Sequence, residues 1–174
     1  EIYPPRTLFP YTTLFRSSPP PGLVGRQLLP IEHVVCATPQ YLAEHGTPSH
    51  PHDLLAHSCI YLGETPGDSR WKFRRAGKAV TVAVRGRYAA NHTGVRLDAV
   101  LQHVGIGSLP YFTARHALDE GRLVQVLPEW DFIASYHGEA WLLHSPTRYL
   151  PPKVRVFIDY LVACMATEPT LRRR

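Results

Sequence analysis

The side chains with the most evident chemistry are the histidines, and their tightest group is His50, His52 and His57 with Asp53. Zinc is held by ligands at fixed spacing on rigid elements, often with cysteine among them. This group straddles Pro51 in a turn-forming stretch and offers no such set, so capping and surface roles fit it better than a metal. Ser108 would be a nucleophile only on a strained elbow flanked by glycines. Gly105-Ile106-Gly107-Ser108 lacks the second flanking glycine. A phosphate-cradling glycine loop must follow a strand and open a helix. Here a helical pattern comes first and an apolar strand pattern follows. Gly105 and Gly107 therefore read as a helix stop and a point of close helix–strand packing. Asp119-Glu120 falls at a helix end facing solvent. No catalytic residues, no metal ligands and no cofactor are expected.

One junction has the character of a ligand site. Asn91-His92-Thr93 lies where an extended stretch meets an amphipathic helical pattern. The free N–H groups and positive dipole end of such a helix attract a carboxylate. In open α/β sheets, ligands gather at these carboxyl ends of strands. Simple capping by Asn91 or Thr93 is the alternative.

The elements that must position this junction alternate between strand and helix. Leu28–Ala37 is a short β-branched apolar run, read as one buried strand. Thr38-Pro39 caps and opens a short helix that Gly46 ends. Asp53–His57 gives one helical turn, Cys59–Leu62 a short strand, and Gly63–Ser69 a loop. Val80, Val82 and Val84 alternate with Thr81, Ala83 and Arg85, the mark of a half-buried strand. Leu97, Val100, Leu101 and Val104 fall at helical spacing, predicting a helix over Thr93–His103 closed by Gly105. Ile106–Leu109 is a strand stopped by Pro110. Phe112–Glu120 is a helix ended by Gly121, and Leu123–Leu127 and Trp141–His144 are strands. Pro151-Pro152 opens a last helix with Val154, Phe157, Ile158, Leu161 and Met165 on one face. This alternation predicts an α/β fold with a mainly parallel sheet.

Composition sets the outer limits. The chain has 174 residues, 44% hydrophobic and 19% charged, which is ordinary for a soluble globular domain and excludes a disordered or collagen-like chain. No apolar run approaches the roughly 20 residues of a membrane span, and no export signal is visible. Cys36, Cys59 and Cys164 are too scattered for a disulfide framework and read as buried thiols in a reducing cytoplasm. Nineteen Lys and Arg against 14 Asp and Glu give +5. Setting aside Arg6, Arg16, Arg172, Arg173, Arg174 and Glu1 leaves 14 basic residues against 13 acidic. The body is thus near neutral, no basic stripe is expected along any element, and no DNA-binding residues are expected in this chain.

The start of the chain has an unusual reading. Thr7–Ser17, TLFPYTTLFRS, resembles the translation of a common short-read sequencing adapter, residue for residue. Residues 1–22 are therefore expected to form an unstructured leader of artefactual origin, and the chain to be a truncated piece. Residues 167–174 form a basic tail.

Several segments occur in a telling order: Val35-Cys36-Ala37-Thr38-Pro39-Gln40-Tyr41-Leu42, His45-Gly46-Thr47-Pro48, Asp53-Leu54-Leu55-Ala56-His57-Ser58-Cys59, and Trp71-x-Phe73. Val84-x-Gly86, Asn91, Val104-Gly105-Ile106-Gly107-Ser108-Leu109-Pro110, Gly121-Arg122-Leu123-Val124, Val126-Leu127-Pro128-x-Trp130 and Leu150–Asp159 follow. Together they resemble the effector-binding domain of LysR-type transcriptional regulators over about Leu23–Leu161. The resemblance implies a two-lobed, periplasmic-binding-protein-like (type II) α/β effector domain over 23–166, with its first lobe incomplete and the Ile31–Cys36 strand left with an unpaired edge. The second lobe would span about 57–135, and the first would combine Leu28–Ala56 with Ser145–Ala166. It also implies a small inducer, with a carboxylate as candidate group, held between the lobes. Thr38 and Thr93 would lie near that cleft and Pro110, Tyr111 and Phe112 would form part of its wall, beside Asn91 and His92. The intact regulator would be a cytoplasmic, bacterial homo-oligomer, a dimer or tetramer. It would reach promoter DNA through a winged helix-turn-helix outside this chain. A solute-binding protein of a transport system shares this fold and is the alternative. The identity of the inducer and promoter, and activation against repression, are not legible in these residues.

Overall fold

The computed structural model describes residues 11–15, 22–134, 138–146 and 150–167, the first of these as backbone. In chain order the strands are β1 (Tyr11–Phe15), β2 (Val24–Ile31), β3 (His33–Ala37), β4 (Cys59–Ile60), β5 (Arg70–Arg75), β6 (Lys78–Ala83), β7 (Ile106–Pro110), β8 (Val124–Gln125), β9 (Asp131–Ile133) and β10 (Gly138–His144). The helices are α1 (Pro39–His45), α2 (Thr93–Leu101), α3 (Tyr111–Asp119) and α4 (Pro152–Thr167), with a 3₁₀ turn at Pro51–Ala56.

The chain divides into two compact units. One comprises Glu1–Ile31 with Gly138–Arg172, and the other centres on Glu32–His137. In the first unit, β10 lies between β1 and β2 and is antiparallel to both. Leu29, Ile31 and Ala140 form its small core, with Leu28 and Met165 against them. On α4, Ile158 is buried, whereas Phe157, expected on the same inward face, is 48% exposed. Val156 and Tyr160 are exposed as well.

The larger unit is built on a four-stranded sheet in the order β4-β7-β3-β8. Its strands bury both faces. Val35 and Ala37 face one core with Tyr41, Leu54, Trp71, Phe73 and Val82. Val34 and Cys36 face the other with Ile60, Val100, Leu109 and Leu123. The hairpin β5–β6, extended by β9, forms a second, three-stranded sheet. Burial pushes the thiols of Cys36 and Cys59 up to about 12, so both are inert hydrophobes. Cys164, expected to be buried too, is only half-buried.

Several expectations are corrected. The apolar run Leu28–Ala37 is two strands, split at Glu32 and belonging to different units. An unbroken apolar stretch has no periodicity with which to announce such a break. Consequently the larger unit begins at Glu32 rather than His57, and β3, α1 and the 3₁₀ turn lie in it. The edge of β3 is not unpaired: β7 flanks one side and β8 the other. The sheets are mainly antiparallel, β4–β7 being the parallel pair among the named strands. Within the leader, Tyr11–Phe15 forms strand β1 along β10; tyrosine, threonine and phenylalanine are residue types favoured in strands.

Candidate functional site

The register of the larger sheet decides which sequence candidates meet. β7 runs parallel to β4, and Tyr61 makes a parallel bridge to Ala89. The Ala90 N–H donates to the Tyr61 carbonyl. The segment leading to Asn91 therefore lies beside β4, and β4 beside β7. All three run the same way. Asn91-His92-Thr93 and Pro110-Tyr111 thus reach one edge of the sheet, about two strand spacings or roughly 10 Å apart.

Two helices begin at that edge. α2 starts at Thr93, and the His92 Nδ1 accepts from the Val95 N–H at 3.3 Å. His92 is therefore the side-chain cap, not Asn91 or Thr93. α3 starts at Tyr111 behind Pro110 and has no side-chain cap; the Tyr111 N–H donates to the Glu32 carbonyl. Neither helix has an acidic residue in its first turn. Two positive dipole ends accordingly face one edge without a carboxylate of their own. Asn91 is exposed and Thr93 half-buried. Pro110 is buried, and Tyr111 is half-buried against the core of Val34, Val100 and Leu109.

Thr38 is placed elsewhere. β3 is antiparallel to β7, with His33 opposite Pro110 and Cys36 opposite Gly107. Thr38 follows β3 and so emerges at the opposite edge. Its hydroxyl is fully engaged there: Oγ1 accepts from the Tyr41 N–H at 3.2 Å and lies 2.7 Å from the His103 Nδ1. His103 stands just beyond the far end of α2, about 13 Å of helix from Thr93. Thr38 caps α1, as its position before Pro39 suggests, and does not join the other candidates.

Sequence reasoning missed Arg96, a guanidinium on α2 that is only 4% exposed. Its Nη1 donates to the Ser108 carbonyl at 2.8 Å, two residues before Pro110. The Val35 carbonyl turns toward Val126, so Ser108, its antiparallel opposite, turns its own carbonyl toward β4. β4 ends at Ile60, and Arg96 takes the place of the strand partner. Burial pushes the Arg96 guanidinium below its ordinary value, while the carboxylates of Asp68 and Glu64 hold it up. Asp68 is itself buried and accepts from the N–H groups of Glu64 and Thr65 and from the Thr65 hydroxyl. Arg96 thus ties α2 to β7 and lies within electrostatic reach of the 64–68 loop. The signal was available: Arg96 precedes the buried Val100 by four residues and shares its helix face.

The glycines and histidines take structural parts. A Cβ on Gly107 would lie 2.3 Å from Val100 Cγ2, and one on Gly105 would lie 2.1 Å from the Ser58 carbonyl oxygen. Close packing is required at both. The residue that ends α2 in a left-handed conformation, however, is His103 at φ 60°, not Gly105. His50 caps the 3₁₀ turn by accepting from the His52 N–H, and Asp53 accepts from the Ser49 and His50 N–H groups. Among the described residues no group of three or more His, Cys, Asp or Glu side chains could hold a metal ion. Among them, too, no helix is long and apolar enough to cross a membrane.

Comparison with known proteins agrees with this architecture. The family described as the LysR substrate binding domain matches residues 12–166. The probable HTH-type transcriptional regulator LtrA of Klebsiella pneumoniae is 65% identical over 144 residues, covering 83% of this chain and 47% of that protein. The HTH-type transcriptional regulator PtxR of Pseudomonas aeruginosa is 35% identical over 150 residues, covering 85% and 46%. The chain spans about half the length of these relatives. Among solved structures, full-length AphB, a virulence activator of Vibrio cholerae, superposes with a TM-score of 0.74 at 28% identity, over 87% of this chain and 50% of that one. The regulatory domain of CrgA from Neisseria meningitidis gives 0.74 at 25% identity, over 88% and 74%. This chain belongs to the LysR substrate-binding domain family.

Proposed function

We propose that the chain is the effector-sensing part of a LysR-type transcriptional regulator and that the edge formed by Asn91–Thr93 and Pro110–Tyr111 receives a small carboxylate inducer. The observation that carries the site is the convergence of two helix N-termini, α2 and α3, on one sheet edge with no acidic residue in either first turn. A carboxylate there gains from both dipoles and from N–H groups, while Tyr111 and the 43%-exposed Phe112 offer apolar contact to the rest of the molecule. The reading calls for no catalytic residue and no cofactor. Promoter recognition, oligomer formation and a cytoplasmic setting belong to the same proposal, with specific DNA contact made by a helix-turn-helix outside this chain. Against the transport alternative, the relatives reported above are named as transcriptional regulators.

The test is a panel of small carboxylic acids, each paired with its neutral amide, scored by the thermal shift of the chain. The acid of a pair should raise the melting temperature and its amide should not. Stabilisation by acid and amide alike would remove the dipole-based assignment.

A further inference from the structure

The hairpin β5–β6 carries a feature that net charge conceals. Residues 70–87 hold seven cations, Arg70, Lys72, Arg74, Arg75, Lys78, Arg85 and Arg87, and no acidic residue. β5 buries Trp71 and Phe73 and exposes Arg70, Lys72 and Arg74 between them. The register sets Arg70 opposite Ala83, Lys72 opposite Thr81 and Arg74 opposite Ala79. On the β6 side each cation of this face has a small cross-strand neighbour, while on the β9 side Lys72 lies opposite Ile133 and Arg74 opposite Asp131. Arg85 continues the exposed face beyond β6, alternating with buried Val84. Among the described residues, the ion pairs of this sheet are Arg74 with Asp131, at 3.9 Å and well exposed, and Arg75 with Glu129. This is a basic stripe on a periodic element. The expectation that none exists is corrected, because local clustering is invisible in a whole-chain balance.

We infer that the exposed face of β5–β6, with Arg70, Lys72, Arg74 and Arg85, docks on the phosphate backbone of duplex DNA without reading its sequence. Alternate residues of a strand repeat every 6.8 Å or so. The result is a regularly repeating row of cations along β5, suited to a regular polyanion. Protein interfaces are anchored by large aromatic or aliphatic groups in a desolvated centre. This face offers Ala79, Thr81 and Ala83 on one side of the cations and a half-buried Ile133 on the other, with no aromatic group to serve as such an anchor. Charge without an apolar centre fits phosphates, whose contacts position a protein and carry no sequence information. The inference stands apart from the inducer site and does not need it.

The measurement is fluorescence anisotropy of a random-sequence 30-base-pair duplex, titrated with the 174-residue chain between low and physiological salt. Arg172, Arg173 and Arg174 are changed to Gln throughout, so that the tail contributes nothing. The tail-neutral chain should bind with a log–log salt slope of about −2 to −4, as expected for a few neutralised phosphates. Adding Arg70→Gln, Lys72→Gln and Arg74→Gln should weaken low-salt binding at least tenfold and flatten the slope. Arg70→Lys with Arg74→Lys should restore both. A urea midpoint unchanged by the glutamines confirms that the fold survives. Unaltered binding by the triple variant, or no duplex binding by the tail-neutral chain at low salt, overturns the proposal. So does equal competition by polyglutamate and duplex, which would assign the face to an acidic protein.

Discussion

The two edges of the four-stranded sheet are made from the same ingredients and finished differently. At one edge Thr38, Tyr41, His57 and His103 satisfy one another: Thr38 meets His103, and the Tyr41 hydroxyl accepts from the Ser58 N–H and lies 3.4 Å from the His57 Nδ1. At the other, α2 and α3 begin with one side-chain cap between them, and Arg96 secures the strand carbonyl behind. The first edge spends its polar groups on the fold. The second holds its positive ends available while its backbone is fixed from within. A sheet edge becomes a candidate site through what its residues leave unused, and residue type alone does not reveal that.

Breaking the closed edge at Gly105, a point of close backbone approach, should have the largest effect among these variants. Gly105→Ala places a Cβ 2.1 Å from the Ser58 carbonyl oxygen, which cannot swing aside. A loss of about 3 kcal/mol in urea unfolding is expected. A loss below about 1 kcal/mol would mean that the β4–β7 junction yields. Arg96→Leu comes next. It leaves the Ser108 carbonyl without its donor and Asp68 without its nearby cation, costing about 1–3 kcal/mol. Arg96→Lys should recover part of this. Carboxylate affinity should fall with Arg96→Leu if the guanidinium holds the site edge in shape.

How much of this could be seen in the residues depended on the range of the interaction. α1 was legible because its signals are local: Thr38 caps, Pro39 opens, and Gly46 ends it at φ 86°. Gly121, at φ 71° just beyond α3, is the same kind of signal. Asn91–Thr93 was legible as a helix start for the same reason, although its cap proved to be His92. Strand direction was not legible, since alternation in β6 is identical whether its partner runs parallel or antiparallel. Strand β5 was overlooked despite Trp71 and Phe73 alternating with cations. The placement of Thr38 at the far edge depends on β3 pairing with β7 some 70 residues later, which no local pattern encodes.

A pair of threonine variants separates the two edges. Thr38→Ala removes a cap and the His103 contact and should cost about 1–2 kcal/mol of stability with no change in carboxylate affinity. Thr93→Ala touches no cap, because His92 supplies it, and should change stability by less than about 0.5 kcal/mol. Its affinity for the carboxylate should drop by about 1–3 kcal/mol if the hydroxyl meets the ligand. The opposite pattern, with affinity following Thr38, would move the site to the other edge.

The smallest expected effect is a pH dependence confined to the closed edge. Burial depresses the His57 imidazole below its ordinary value, and the neighbouring His45 pushes the same way, against a weaker opposing pull from Asp53. A histidine whose folded-state value is depressed takes up its proton more readily in the unfolded chain. Its contribution is therefore complete above the unfolded value of about 6.5 and is lost as pH falls through that value toward the folded one. Unfolding free energy should decline between pH 7 and pH 5, and His57→Gln should flatten part of that decline. Asp53, held low by the His50 and Ser49 N–H groups, adds its own loss only at more acid pH, so the two can be told apart. A slope left unchanged by His57→Gln would remove the closed edge as the place where the fold takes up protons in this range.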